Sequence, residues 1–184
     1  SSWDILSGDV PIAREVLVFD DHGGHPGVLA SEMIAASGAS LEIASPERGF
    51  APDVGGLTHA GYQRELQKHG VRITLLTRLR KIERAGNKLR ATFGTDYASR
   101  TDIREVDQIV VDHGTLPVDD LYFALRPRSS NLGEVDYAAL IAGKPQQIVR
   151  DPNGAFQLFR IGDAVQHKNI HAAIYDALRY LKDI

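Results

Sequence analysis

The chain has 184 residues, of which 43% are hydrophobic and 24% charged, and its formal net charge is −3. This length allows one large domain or two small lobes, and the nearly balanced charge argues against a nucleic-acid-binding surface. Because the chain contains no cysteine, disulfides, thiolate metal sites and iron–sulfur ligation are excluded within it. No signal-peptide pattern begins at Ser1, and no apolar run reaches the roughly 18 residues that span a bilayer. We therefore expect a cytoplasmic chain without a membrane partner.

The first part of the chain predicts a βαβ unit. Residues 15–20 form a short apolar run, typical of a strand buried on both faces. A glycine-containing turn at 21–27 leads into a helix over 28–37, which Gly38 ends, and a second strand follows at 40–45. A strand, turn, helix and strand within about 30 residues indicate a parallel sheet with a right-handed crossover.

The remaining chain continues the α/β pattern. A helix is expected over 58–69 and a third strand over 71–76. Three short segments then favour an antiparallel β-meander, inserted before a fourth parallel strand at 108–112, and residues 119–151 give only weak signals. The other predicted elements are the meander segments 80–84, 88–93 and 98–104, a last strand at 156–161 and an amphipathic helix at 169–181.

The glycine turn is the first candidate binding site. A dinucleotide fingerprint needs three spaced glycines for a tight turn, close approach of a pyrophosphate and helix packing. His22 stands at the first of these positions, while Gly24 and Gly27 keep the other two. The helix that follows offers free N–H groups to an anion, but Asp20 and Asp21 stand beside it. A nucleotide site and a turn that needs glycine only for packing are both open interpretations.

Glu47 follows the glycine turn by about 20 residues, where an acidic residue reads a ribose hydroxyl in dinucleotide sites. Arg48 is the alternative, because a cation there faces a 2′-phosphate. Either residue also fits a solvated loop. We retain Glu47 as a candidate cofactor contact.

A second candidate site follows the last predicted strand. Gly162 and Asp163 place a carboxylate at a strand end, the edge where open α/β sheets bind ligands. The carboxylate can accept a sugar hydroxyl, and N–H groups near His171 and Ala172 can face a pyrophosphate. The alternative is that Asp163 only caps a helix. Gly114, in the turn after the strand at 108–112, completes the candidate cofactor contacts.

The sequence predicts no catalytic residue and no metal site. His22 and His25 lie three positions apart beside two aspartates, but no further ligand converges on them in sequence. No nucleophile elbow, phosphate-binding Walker loop or zinc-binding HExxH motif is present. We therefore expect the chain itself to bind rather than to catalyse.

The order of these segments resembles the C-terminal region of one oxidoreductase family. The resemblance covers nearly the whole chain and rests most specifically on HGTLP at 113–117 and IGDA at 161–164, after the VLVFDDHGGHPG segment at 16–27. The family is that of the NADH:flavin oxidoreductases, which includes trimethylamine dehydrogenase, histamine dehydrogenase, 2,4-dienoyl-CoA reductase and N-methylproline demethylase-like proteins.

The resemblance implies an α/β fold with a Rossmann-like three-layer parallel sheet, an antiparallel β-meander and the second half of an FAD/ADP-type lobe. Residues 1–105 match an NAD(P)-type lobe, and residues 106–184 match the C-terminal half of the FAD/ADP-type lobe. Gly162 and Asp163 then take an FAD or ADP role, and Gly24 and Gly27 a nicotinamide-nucleotide role. The FMN-binding barrel and the [4Fe-4S] cluster belong to an N-terminal part outside this sequence.

Our leading hypothesis is a nucleotide-binding fragment of a flavin/iron–sulfur oxidoreductase. Its parent is expected to oxidise or N-demethylate amines, and its partners are the N-terminal barrel and a nucleotide cofactor, with a homo-oligomer left open. Two alternatives stay open beside it. One is a stand-alone NAD(P)H-binding domain, and the other is a degenerate interaction module that binds no nucleotide.

Overall fold

The computed structural model describes residues 1–181, which divide into two compact units, Ser1–Gly114 and a second that begins at Thr115. The first unit contains α1 (Ser2–Ser7), β1 (Glu15–Asp20), α2 (His25–Ala36), β2 (Ser40–Ala44), α3 (Gly56–Lys68), β3 (Arg72–Thr74), β4 (Arg78–Ala85), β5 (Lys88–Gly94), β6 (Thr101–Val106) and β7 (Gln108–Asp112). The second contains α4 (Asp120–Leu125), α5 (Tyr137–Ile141), α6 (Ile170–Leu181) and short 3-10 helices at Arg126–Arg128 and Gly162–Ala164. None of the helices within these described residues is long and apolar enough to cross a membrane.

Strand β1 is the centre of a parallel sheet. It pairs with β2 on one side and with β7 on the other, and β3 extends the sheet beyond β2. Every residue from Val16 to Asp20 is buried. Because both faces of β1 are covered, its sequence is a continuous apolar run rather than an alternating one.

One face of this sheet is covered by α1, α2 and α3. Val16 and Val18 point to this face, since successive residues of a strand point to opposite sides. They belong to a buried cluster that includes residues of all three helices and of the neighbouring strands, namely Ile5, Ala30, Ile34, Ala35, Leu41, Ile43, Leu66 and Val110. This cluster is the larger part of the core of the first unit.

The opposite face packs against a second sheet. Strands β4, β5 and β6 form an antiparallel meander in chain order. Ala91 and Phe93 of β5 belong to one buried cluster with Leu17 and Phe19 of β1, and the ring centroids of the two phenylalanines are 6.3 Å apart. The first unit thus has three layers: helices, parallel sheet and meander. The predicted α/β class, with its parallel sheet and antiparallel meander, is confirmed.

Several predicted elements of the first unit form with shifted ends. Strands β1 and β7 have their predicted bounds, whereas α2 begins at His25 instead of residue 28. Pro26 lies in its first turn, where a missing backbone N–H breaks no helical hydrogen bond. Strand β3 ends at Thr74 rather than at residue 76. The cause is Leu76, whose φ of 55° is outside the range of β-strands.

The boundary between the two units follows Gly114, whereas the sequence analysis divided the lobes after residue 105. The difference lies at β7, which pairs with β1 and contributes Val110 to the core of the first unit. Strand β7 is therefore part of the compact first unit. The assignment of the lobes to NAD(P)-type and FAD/ADP-type binding stays a prediction.

The prediction of a strand at 156–161 is wrong. Phe156 makes only an isolated bridge to Ser129, and no ladder forms over the described residues that follow it. The buried side chain of Asn131 instead accepts the N–H of Leu158 at 2.9 Å and donates to its carbonyl at 2.9 Å. A side-chain amide thus satisfies backbone groups that a neighbouring strand would satisfy in a sheet.

The second unit lacks an apolar interior among its described residues. Its buried residues are Ser129 and Asn131, both polar, and every buried hydrophobic residue of the described chain lies in the first unit. Helix α6 exposes an apolar stripe with the spacing of one helix face, made of Ile170, Ile174, Tyr175, Leu178 and Leu181. This unit therefore gains little stability from burying its own hydrophobic side chains.

Because the buried hydrophobic residues lie in the first unit, replacing a leucine by alanine should destabilise the chain more in the first unit than in the second. Leu17→Ala, at a fully buried position, should lower the free energy of unfolding by about 2–5 kcal/mol. Leu178→Ala, at a position that is 59% exposed, should change it by less than about 0.5 kcal/mol. Denaturant unfolding of the full chain, followed by the fluorescence of its single tryptophan, Trp3, measures both. Equal losses in the two variants would contradict the division of the core.

Candidate functional site

The first candidate site lies at the carboxyl ends of β1 and β7. The chain leaves β1 towards β2 on one side, while β7 lies on the other, so the sheet has its switch point here. Open α/β sheets bind ligands in the crevice at such a point. The strands end at Asp20 and Asp112, which are directly paired across the sheet. Two carboxylates are thereby placed side by side at the position of a ligand crevice.

Both carboxylates are buried, with 3% of Asp20 and 2% of Asp112 exposed. Asp20 Oδ1 accepts the N–H groups of His22 at 3.0 Å and Gly23 at 2.8 Å, and Asp112 Oδ1 accepts the N–H of Gly114 at 2.9 Å. Burial raises the pKa of Asp20, and the charge of Asp112 adds to this, although the two backbone N–H bonds lower it. The two aspartates thus accept hydrogen bonds from backbone N–H groups of both turns. In nucleotide sites, N–H groups of such turns bind phosphates instead.

Gly27 allows α2 to approach these carboxylates. A Cβ atom on this residue would lie 2.8 Å from Asp20 Oδ2 and 3.0 Å from Asp112 Oδ2, which is too close for any other residue without a shift. The negative charge near the first turn of α2 is favourable to the helix dipole. Gly27 therefore lets α2 pack closely on the ends of the two strands. This agrees with the interpretation that the turn needs its glycine for packing.

The ring of His22 fills the crevice between the two turns. A Cβ atom on Gly24 would lie 2.9 Å from His22 Cε1, and one on Gly114 would lie 3.1 Å from His22 Cδ2. His22 Nδ1 is 3.6 Å from Asp112 Oδ1. The structure thus brings the predicted contacts Gly24 and Gly114 together, but around an imidazole ring of the chain itself.

A segment between β2 and α3, residues 50–54, covers the glycine turn. A Cβ atom on Gly23 would lie 2.7 Å from Cδ of Pro52, and the N–H of Asp53 donates to the carbonyl of Gly23 at 3.1 Å. Ala51 is buried with a φ of 47°, a conformation unusual for alanine. We call residues 50–54 the covering segment. Sequence analysis missed it because its role depends on a contact with a distant turn.

Glu47 lies on the rim of this corner. Its backbone N–H donates to Ser45 Oγ at 3.2 Å. The pKa of Arg78 is raised mainly by Asp96, to which it is hydrogen-bonded, and further by the charges of Asp21 and Glu47. Glu47 and Asp21 are thus close enough to one guanidinium to act on it. The role of Glu47 as a ribose contact stays a prediction.

The rim also carries a histidine–aspartate pair. His113 Nδ1 and Asp21 Oδ1 are 2.6 Å apart, and the ring of His113 stands edge-on to Phe19 with centroids 5.9 Å apart. Among the described residues, no group of three or more histidine, aspartate or glutamate side chains is arranged to hold a metal ion.

The second candidate site lies in the second unit, at the 3-10 helix Gly162–Ala164. Gly162 has a φ of 56°, which favours glycine, and a Cβ atom there would lie 3.1 Å from Cβ of Ala173 in α6. The N–H of Gly162 donates to Asp176 Oδ2 at 3.3 Å. The glycine therefore lets the turn pack closely on α6.

Asp163 points away from the helix cap that the sequence allowed for it. Its side chain is 70% exposed and lies 3.6 Å from His167 Nδ1. Asn169 takes the capping role instead, since its Oδ1 accepts the N–H of Ala172 at 2.9 Å. Asp163 and His171 line one shallow groove at the start of α6. The structure thus brings these two predicted contacts together, while the N–H of Ala172 already has a partner.

The comparisons with known proteins cover the entire chain. It is 53% identical over 184 residues to a probable N-methylproline demethylase of Rhizobium meliloti (strain 1021). It is 41% identical over 187 aligned residues to an N,N-dimethylglycine/sarcosine dehydrogenase of Chromohalobacter salexigens. In both cases the chain spans 27% of the relative's length. No family model matches it.

A solved structure supports the fold. Histamine dehydrogenase from Rhizobium sp. 4-9 matches 97% of this chain with a TM-score of 0.67, at 19% identity and over 24% of its own length. At this identity the match shows a shared fold. The predicted resemblance to proteins of the N-methylproline demethylase and histamine dehydrogenase kind is thereby supported in sequence and in fold. The whole chain is thus similar to a segment that makes up about a quarter of the length of relatives named as a demethylase and a dehydrogenase.

Proposed function

We propose that this chain is the nucleotide-binding part of a flavin-dependent oxidoreductase that oxidises or demethylates an N-methylated amine. The observation that carries the proposal is the 53% identity over the whole chain to a probable N-methylproline demethylase. Because the chain matches only 27% of that relative, the reacting centre is assigned to the remaining part.

The second unit is proposed to be half of an FAD- or ADP-binding lobe. Its polar interior and the exposed stripe of α6 favour completion by another segment, because uncovered apolar helix faces are buried in finished domains. The proposed partner is the N-terminal barrel region of the same enzyme. FMN and a [4Fe-4S] cluster are assigned to that region, and the chain itself has no cysteine to ligate a cluster.

The groove beside α6 is the proposed cofactor contact of this lobe. Its exposed carboxylate, Asp163, can accept hydrogen bonds from ribose or ribityl hydroxyl groups, and His171 lies in the same groove. The close packing of Gly162 on Ala173 holds the 3-10 helix that carries this carboxylate against the first turn of α6. These residues fit a role in binding and orienting a nucleotide. Electron transfer is supplied by the flavin when it is bound.

For the first unit, we propose a supporting role rather than nicotinamide binding. His22 occupies the crevice between Gly24 and Gly114, and the covering segment lies against Gly23. A dinucleotide would have to displace both before its pyrophosphate reached the turn. These contacts favour the degenerate module over the stand-alone NAD(P)H-binding domain for this part of the chain.

The activity can be tested in a chimera in which this chain replaces the matching quarter of the Rhizobium meliloti relative. We expect N-methylproline to reduce the flavin of the chimera, as measured by the loss of flavin absorbance under anaerobic conditions. The relative without that quarter serves as the control and should lose nucleotide binding. A folded, flavin-loaded chimera that N-methylproline and other N-methylated amines leave oxidised would refute the proposed parent activity.

The cofactor contact predicts a specific loss on Asp163→Asn. Removing a charged acceptor should raise the Kd of the chimera for ADP about tenfold or more, because hydrogen bonds to charged groups contribute about 1.5–3 kcal/mol. Titration calorimetry measures the Kd after the bound nucleotide is removed. The matched control is Asp120→Asn, an exposed aspartate in the first turn of α4. Unchanged affinity in both variants would show that Asp163 does not touch the nucleotide.

The supporting role of the first unit predicts that NADH and NADPH leave the melting temperature of the chain unchanged. A working site would stabilise the folded state by about 2.7 kcal/mol at a hundredfold excess of ligand over Kd. Thermal unfolding with each nucleotide and without it measures the effect. Stabilisation by NADH that disappears in Gly24→Val would instead assign nicotinamide binding to this turn.

A further inference from the structure

The paired carboxylates of Asp20 and Asp112 are not used by the proposed function. The two residues are directly opposite each other in the parallel pairing of β1 and β7. Both Oδ2 atoms lie within 3.0 Å of the point where a Cβ atom of Gly27 would be. The second oxygens of the two carboxyl groups therefore both lie beside the same backbone position, in the first turn of α2.

The hydrogen bonds of the two carboxyl groups are unevenly distributed between their Oδ1 and Oδ2 atoms. Each Oδ1 atom accepts backbone N–H groups, those of His22 and Gly23 for Asp20 and that of Gly114 for Asp112. Among the described residues, the buried Oδ2 atom of Asp112 has no hydrogen-bond partner. A buried acceptor without a donor is unfavourable, and neighbouring ionised carboxylates repel each other.

One cationic group faces the pair, because a positive charge on His22 lowers the pKa of Asp20. His22 Nδ1 lies 3.6 Å from Asp112 Oδ1, on the side that already accepts an N–H group. His113, in the turn after β7, is directed to Asp21 at 2.6 Å rather than to the pair. The first turn of α2 contributes the positive end of its dipole. A single negative charge suits these surroundings better than two.

We propose that Asp20 and Asp112 share one proton in the folded chain, one as a carboxyl that faces the carboxylate of the other. The shared proton satisfies the Oδ2 atom of Asp112 and removes the repulsion. It leaves the corner with one negative charge beside the first turn of α2, where a nucleotide phosphate would otherwise lie. This inference concerns the first unit alone and stands whether or not the second unit binds a nucleotide.

The shared proton makes the stability of the first unit depend on pH. Burial and the charge of Asp112 raise the pKa of Asp20 in the folded chain. Between the ordinary aspartate pKa and the raised one, the folded chain holds a proton that the unfolded chain has lost. The free energy of unfolding therefore falls as pH rises through that range and levels off above the raised pKa.

The proton can be observed in the full chain labelled with ¹³C at its aspartate carboxyl groups. We expect one carboxyl to titrate well above the range of the exposed aspartates. Asp112→Asn should lower the titration of Asp20 by the share that the charge of Asp112 contributes, because the amide carries no charge and can donate to Asp20, while the rise due to burial stays. Asp21→Asn is the matched control, since it removes a neighbouring charge from the same turn and should leave the raised titration in place.

The proposal fails if every aspartate of the wild-type chain ionises in the ordinary range. It also fails if Asp112→Asn leaves the titration of Asp20 where it stands in the wild-type chain, because Asp112 would then have no part in holding the proton. Should either variant not fold, the infrared carbonyl band of a protonated carboxyl in the wild-type chain, recorded above the range in which exposed aspartates ionise, decides the question. Its presence supports a retained proton, and its absence shows that both groups are ionised.

Discussion

Strand β1 is hydrogen-bonded on both edges and covered on both faces, and the rest of the first unit depends on this arrangement. Its even residues, Val16 and Val18, pack under the helices, while Leu17 and Phe19 pack against the meander. Because the strand is fixed on all sides, the turn that follows it has little freedom. The position of Asp20 opposite Asp112, and with it the geometry of the whole corner, follows from the register of β1 with β7.

That register places at the sheet edge the same elements that form a dinucleotide site in related architectures: a glycine turn, a helix start and a crevice. In this chain, side chains of the protein itself occupy these elements. Carboxylates accept the N–H groups of the turns, and the imidazole of His22 occupies the crevice. The chain thus keeps the architecture of a dinucleotide site, but its own side chains occupy the position of the ligand. The fold alone therefore does not imply that this site binds a nucleotide.

Much of the first unit could be predicted from periodicity, since β1 and β7 are apolar runs with clear polar ends. The end of β3 could not, because it depends on the left-handed conformation of Leu76. The strand expected at 156–161 failed since an apolar run forms a strand only beside a partner, and Asn131 takes that place. The spacing of the glycines in sequence indicated the corner. What fills it depends on Asp112 and Pro52, residues far from the turn in sequence, whose positions only the folded chain reveals.

The pairing of β1 with β7 also bears on the order in which the chain folds. Glu15 and Asp107, which are hydrogen-bonded at the start of the two strands, are 92 residues apart. Long-range parallel pairing of this kind forms slowly, because a large loop must close before its contacts stabilise it. Until β7 has been synthesised and docked, one edge of the apolar β1 is open to pairing with other chains. During synthesis, the edge of β1 that faces β7 therefore stays without its native partner longer than the edge that faces β2.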